Sequence, residues 1–241
     1  MSSGLGAQEL KSYYFGIGVN ASYAPLNGLN NVLRHYQNVR FEEASISPEG
    51  ESWINNLSDI NLLVGPSISF GYMFKPEYNI EFRFLDRRNS RVSQVTNING
   101  SIIKRELFAK SRSFGFGLSR LFATGRNDYI IGGTINVTHF VIDAINIKDP
   151  QPINQSNFGS TIFIKYIFNF SETSPFAIVI NPFYQYHFTP IDFFELNRVM
   201  NPETFQSVSA EELKGARSYF GLEIQLNYFV FTGFKKEPIE N

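Results

Sequence analysis

Apolar and polar side chains alternate one for one in eight separate stretches of this chain, a period of two that β-strands satisfy and helices do not. In YNIEFRFLDRR, Tyr78, Ile80, Phe82 and Phe84 alternate with Asn79, Glu81 and Arg83. The same pattern runs through YYFGIGVNASYA, PSISFGYMF, SFGFGLSRLF, YIIGGTINVTHF, STIFIKYIFNF, FAIVINPFYQYHF and SYFGLEIQLNYFVF. One face of each stretch carries Phe, Tyr, Ile, Leu and Val. The other carries mainly Gly, Ser, Thr and Asn.

Volume decides which face points inward. The interior of an eight-stranded barrel is just wide enough to be filled by side chains, so it cannot take the bulky face of every strand. The small polar residues fit that space. The apolar faces therefore meet lipid, and Glu81 and Arg83 point into the lumen. An open sheet edge in hydrocarbon would leave backbone groups unpaired at several kcal/mol each, so the last strand must pair with the first. The fold class expected is an all-β, eight-stranded antiparallel transmembrane β-barrel. Tyr13, Tyr23, Tyr72, Tyr78, Tyr129 and Tyr228 fall near strand ends, where interfacial aromatic girdles sit.

Connection lengths give the orientation. KPE, ATGRND and SETS are hairpin-length, whereas 25–66, about 90–112, 141–158 and 189–217 are long. Short periplasmic turns and long extracellular loops are the outer-membrane arrangement, with both termini on the periplasmic side. In the first long link, Leu29, Val32, Leu33 and Tyr36 recur at helical spacing and predict a short amphipathic helix over the mouth. In the last, Phe193, Phe194, Leu196, Val199 and Met200 are too apolar to be solvated and should pack over the mouth or on a partner. The expected organisation is an export-signal remnant or flexible start at 1–10, a barrel over 11–232 and a periplasmic tail at 233–241.

Composition narrows the function classes. The 241 residues include 25 Phe and 12 Tyr but one Trp, no Cys, and a net charge of -1. Near-neutral charge argues against nucleic acid, and the lack of Cys removes disulfides and thiolate chemistry. No apolar run approaches the roughly 20 residues of a membrane helix.

Candidate sites fall into two groups. Glu81, Arg83, Lys165 and Glu223 carry cancelling charge on inward faces, and with Gln185, Asn227 and Asn136 they predict a paired lumen network, since unpaired buried ions are costly. Arg87, Arg88, Arg91, Lys104, Arg105, Lys110 and Arg112 surround the Asn99-Gly100 turn signal. If the strands run to that turn they form an arm of roughly 65 Å, presenting these cations to lipopolysaccharide or an acidic partner. A catalytic base would have to be His35, His139 or His187. No serine stands two residues from His139, and the register of Ser160 is open, so no catalytic residue, metal ligand or cofactor is assigned.

GAQELKSYYFGIGVN, the PLNGLNNVLRHY loop and the repeated F-G-x-G strand style resemble the Bacteroidota outer-membrane barrels of the porin-family or PorT-like group. Continuation past NYFVF into TGFKKEPIEN departs from barrels that end on an aromatic residue. The resemblance implies residence in the bacterial outer membrane and a non-enzymatic structural or accessory role in a secretion, transport or biogenesis assembly. The partners it implies are lipid, lipopolysaccharide and other outer-membrane proteins. A small channel or a lipid-modifying enzyme stands as the alternative.

Overall fold

The computed structural model describes residues 11–46, 52–55, 57–75, 77–96, 100–124, 127–145, 153–171, 174–215 and 217–232. The expected leader at 1–10 and tail at 233–241 lie outside them. Nine strands are present among these residues: β1 (Lys11–Tyr23), β2 (Ser52–Asn55), β3 (Leu62–Lys75), β4 (Tyr78–Thr96), β5 (Ile102–Thr124), β6 (Asn127–Ile145), β7 (Ile153–Asn169), β8 (Phe176–His187) and β9 (Ser218–Thr232). All except β2 form a closed antiparallel barrel in the order β1-β3-β4-β5-β6-β7-β8-β9. All 13 residues of β1 have a partner on β9, from Lys11 with Thr232 to Tyr23 with Phe220. That pairing closes the ring, so no strand edge faces hydrocarbon.

The outside is apolar, as volume required. Phe116 is 60% exposed, Ile135 69%, Ile162 64% and Phe82 47%, while Glu81 and Glu223 are fully buried. At the short-turn end, aromatic pairs circle the barrel: Tyr13 with Tyr72 at 4.8 Å, Phe122 with Tyr129 at 5.2 Å and Phe176 with Tyr228 at 5.1 Å between ring centroids. Inward glycines make room for large side chains. A Cβ on Gly71 would come within 1.9 Å of the Tyr14 ring, and one on Gly221 within 2.2 Å of Phe183.

Beyond the belt the wall becomes taller than the alternation alone indicated. The 90–112 connection is a continuation of β4 and β5, paired residue for residue from Tyr78 with Arg120 to Thr96 with Ile102. Gly100 takes a left-handed φ of 74°, as the turn signal required. A strand tilted by 35–45° climbs about 2.5 Å per residue, so an apolar belt of about 25 Å spans roughly Tyr78 to Arg88. Thr96 then stands about 20 Å above it. The upper edge of β4 is covered by β2, where Trp53 pairs with Val95 and Ser52 with Thr96.

Two helices close the mouth. The expected short helix is α1 (Asn27–Ile46), 20 residues long, and Leu29, Val32, Leu33 and Tyr36 are all buried along one side. Helix α2 (Phe194–Met200) buries Leu196 and Met200, with Phe193 before it, whereas Phe194 stays exposed. These side chains join Leu107, Ala109, Phe140 and Ile142 of the tall walls in one apolar plug. Asn30 fastens it: its side chain donates to Asn61 Oδ1 at 2.9 Å and accepts from the Ile60 N–H at 2.9 Å.

Substituting Phe82→Arg, near the bilayer midplane, should cost about 2–4 kcal/mol of stability. Val92→Arg, outward on the same strand but above the belt, should change it by no more than about 0.5 kcal/mol. Urea unfolding of the two variants in lipid vesicles measures the difference.

Candidate functional site

The lumen is charged in the middle and apolar at both ends. Near the periplasmic end Lys165 Nζ lies 2.6 Å from Glu81 Oε2, and the Tyr14 hydroxyl donates to the same oxygen at 2.6 Å. Asn79 bridges Tyr14 at 3.2 Å and Ser119 at 3.1 Å. One layer up, Arg83 pairs with Glu223 at 2.5 Å, and Asn181 and Gln225 donate to that carboxylate at 2.7 and 2.6 Å. The Arg83 guanidinium also lies 4.4 Å above the Phe183 ring. Burying four charges is tolerable here because each has a counterion, and Glu81, Lys165 and Glu223 gain further hydrogen bonds; Arg83 relies on Glu223 and the Phe183 ring, since its Nε and Nη1 find no partner among the described residues.

The expected network is largely brought together: Glu81, Arg83, Lys165 and Glu223 form two ion pairs, and Gln185 joins Thr138 at 2.9 Å. Asn136 binds Thr161 at 2.7 Å. Asn227 is the exception. It is buried in the lumen, but its Oδ1 has no hydrogen-bond partner among the described residues and sits over Gly16.

Below the charged layers, Met73, Ile130, Ile167, Ala177, Val179 and Phe229 form a second apolar cluster, and the mouth plug lies above. A solute path would have to cross both.

The basic arm divides by register. Arg88, Lys104, Lys110 and Arg112 lie on the outward face of the arm. Arg87, Arg91 and Arg105 lie on the inward face, contrary to the expectation that all seven are presented to lipopolysaccharide or an acidic partner. Arg87 is 1% exposed and donates to Ser22 at 2.9 Å and Gln185 at 3.1 Å. Arg91 donates to the Asp59 carbonyl at 3.2 Å, and Arg105 to the Tyr36 hydroxyl at 2.6 Å. The cause is the pleat. Odd positions of β4 and β5 continue the lumen face of Glu81 and Arg83 right up the arm.

The outward cations form a step at the top of the belt. Arg88, Lys110 and Arg112 stand 3.8, 3.7 and 3.9 Å from Asp86. In the register, His139 neighbours Arg112 and pairs across to Ser156, its Nδ1 3.1 Å from Ser156 Oγ. Ser160 lies elsewhere, opposite Ile135. His187 is enclosed in the lumen.

On the extracellular cap, a cleft of about 500 Å³ is lined by His35, Asn38, Val39, Glu203, Thr204, Gln206 and Ser207. His35 Nε2 sits 2.9 Å from Thr204 Oγ1 and 3.3 Å from Ser207 Oγ. Ser207 donates its own proton to the Thr204 carbonyl at 2.7 Å, which is the wrong polarity for a nucleophile activated by histidine. Among the described residues, no carboxylate is hydrogen-bonded to either His35 or His139, and no three His, Cys, Asp or Glu cluster as metal ligands. Nearby, Glu212 accepts from the Ser209 hydroxyl at 2.8 Å and its N–H at 3.0 Å, which hold its pKa below the usual glutamate value.

No protein-family model matches the sequence, and no curated protein matches it. Solved structures do. The outer membrane protein OprG from Pseudomonas aeruginosa superimposes with a TM-score of 0.52 over 94% of this chain and 99% of its own, at 11% identity. Ail, the attachment invasion locus protein of Yersinia pestis, solved with the heparin analogue sucrose octasulfate, gives 0.46 over 92% and 100%, also at 11%. The fold is that of the small outer-membrane barrels. With its closed sheet and apolar belt, the chain is an integral membrane barrel of the outer-membrane type.

Replacing Glu81→Gln leaves Lys165 buried without a counterion and should cost about 3–5 kcal/mol. The double variant Glu81→Gln/Lys165→Met should recover much of that loss. Urea titrations of the refolded wild type, Glu81→Gln, Lys165→Met and the double variant read the coupling, and purely additive effects would contradict the pairing.

Proposed function

We propose that this chain resides in the bacterial outer membrane as a non-enzymatic structural or accessory barrel, anchored to lipopolysaccharide by its cationic step and docking other outer-membrane components through its extracellular arm and cap. The observation that carries this reading is the division of the molecule. Its lumen is bracketed by apolar clusters and held by ion pairs, while its extracellular side is built up into a paired arm and a two-helix plug. Such a barrel offers surfaces rather than a passage. The cations of Arg88, Lys110 and Arg112 stand where anionic headgroups begin, and guanidinium groups match phosphate geometry well.

A channel needs a wet path through the lumen, and the packing of Ile130, Ile167, Val179 and Phe229 disfavours one. An acyl-transfer enzyme needs an oriented base, which neither the His139–Ser156 nor the His35–Ser207 contact supplies. Affiliation with the Bacteroidota group rests on the sequence motifs alone.

In planar bilayers the purified protein should show no single-channel steps, and stable steps would favour the channel instead. Replacing Arg88, Lys110 and Arg112 together by Gln removes about 1 kcal/mol per cation at an anionic surface, so retention of lipopolysaccharide should fall by roughly a hundredfold at low salt. Pull-down from detergent-solubilised membranes, with and without residues 86–112, tests the docking role.

A further inference from the structure

The lumen ion pairs leave one cation over. Glu81 is taken by Lys165 and Glu223 by Arg83, and Arg87 makes no ion pair among the described residues. The guanidinium spans the barrel from β4 to Ser22 of β1, Ser111 of β5 and Gln185 of β8, all neutral groups, at 2.9, 3.4 and 3.1 Å. Asp86, its sequence neighbour, points out of the barrel and serves Arg88, Lys110 and Arg112. A buried charge without a counterion costs several kcal/mol even after relaxation.

Unused hydrogen-bonding groups surround this cation. The Arg87 Nε, the Tyr219 hydroxyl and both ring nitrogens of His187 are buried with no hydrogen-bond partner among the described residues. His187 and Tyr219 are 0% and 1% exposed, with their rings edge to face at 4.9 Å. Tyr219 pairs in the β8–β9 register with Gln185, the residue that Arg87 reaches. These groups therefore occupy one level of the lumen at the underside of the apolar plug, of which Tyr219 is itself a member. Water could satisfy their hydrogen bonds but would leave the charge uncompensated.

We propose that Arg87, His187 and Tyr219 together bind a small inorganic anion of the halide class in the lumen. The anion accepts from Arg87 Nε–H, the Tyr219 O–H and one His187 N–H, and neutralises the surplus cation. Because the plug covers the site, the anion enters as the barrel closes and exchanges slowly afterwards. It is a structural ion, separate from the cationic step on the outer wall.

The test is refolding of the full chain from urea into detergent in sodium chloride, sodium bromide or sodium gluconate at one ionic strength. Binding to the folded state alone makes unfolding about tenfold less favourable for each tenfold rise in halide above its Kd. The unfolding midpoint should rise with chloride and bromide but not with gluconate, and Arg87→Gln should be indifferent to all three. Should that variant fail to refold, crystals of the wild-type protein refolded in bromide decide the matter. An anomalous peak within hydrogen-bonding distance of Arg87 Nε and Tyr219 Oη supports the site. Equal midpoints in the three salts, or a site holding only water, would overturn it.

Discussion

Everything in this molecule depends on the backbone hydrogen bonds between β1 and β9. In hydrocarbon each unpaired N–H or C=O costs several kcal/mol, so a sheet carrying lipid-facing side chains on every strand survives only when closed. Closure then fixes the lumen. Eight strands leave room for side chains and little else, and the inward residues must settle their own charges there.

The lumen solves that problem in layers. Two ion pairs, Lys165 with Glu81 and Arg83 with Glu223, sit between apolar clusters, each carboxylate also receiving hydrogen bonds from neutral side chains. These pairs join strands distant in sequence, β4 to β7 and β4 to β9, across the interior. A register slip by one residue on any of them would send a charge into lipid. The polar lining thus specifies the alignment of a barrel whose greasy exterior is tolerant of detail.

Much of this was legible in the sequence. Alternation and connection lengths gave eight strands, their order and the direction of each face, and the i, i+3, i+4, i+7 spacing of Leu29, Val32, Leu33 and Tyr36 gave α1. The long arm was legible too, from the Asn99-Gly100 turn signal to which both strands run; what escaped was that the inward face continues up it. Charged and polar residues from Asp86 to Arg112 resemble a solvated loop when hydropathy is the guide, because above the membrane the outer face need not be apolar. Hydropathy alone therefore groups Arg87, Arg91 and Arg105 with the outward cations, although their odd numbers share the phase of Glu81 and Arg83. Tyr14, Phe163 and Phe183 were also hidden. Their inward packing depends on space left by partners such as Gly71 and Gly221 on other strands, and a single strand's pattern carries no sign of it. The contact of His139 with Ser156 needed the β6–β7 register, which no local signal supplies.

The central claim concerns which face meets lipid, and the absence of cysteine from the chain makes it directly measurable. Single cysteines at Phe116 and Ile135, and at the inward positions Ser113 and Thr134 of the same two strands, can carry nitroxide labels in vesicle-reconstituted protein. Collision with oxygen should exceed collision with a water-soluble nickel chelate at 116 and 135, and both should be suppressed at 113 and 134. Labels at 116 and 135 that are shielded from oxygen, or that meet the nickel reagent freely, would contradict the account.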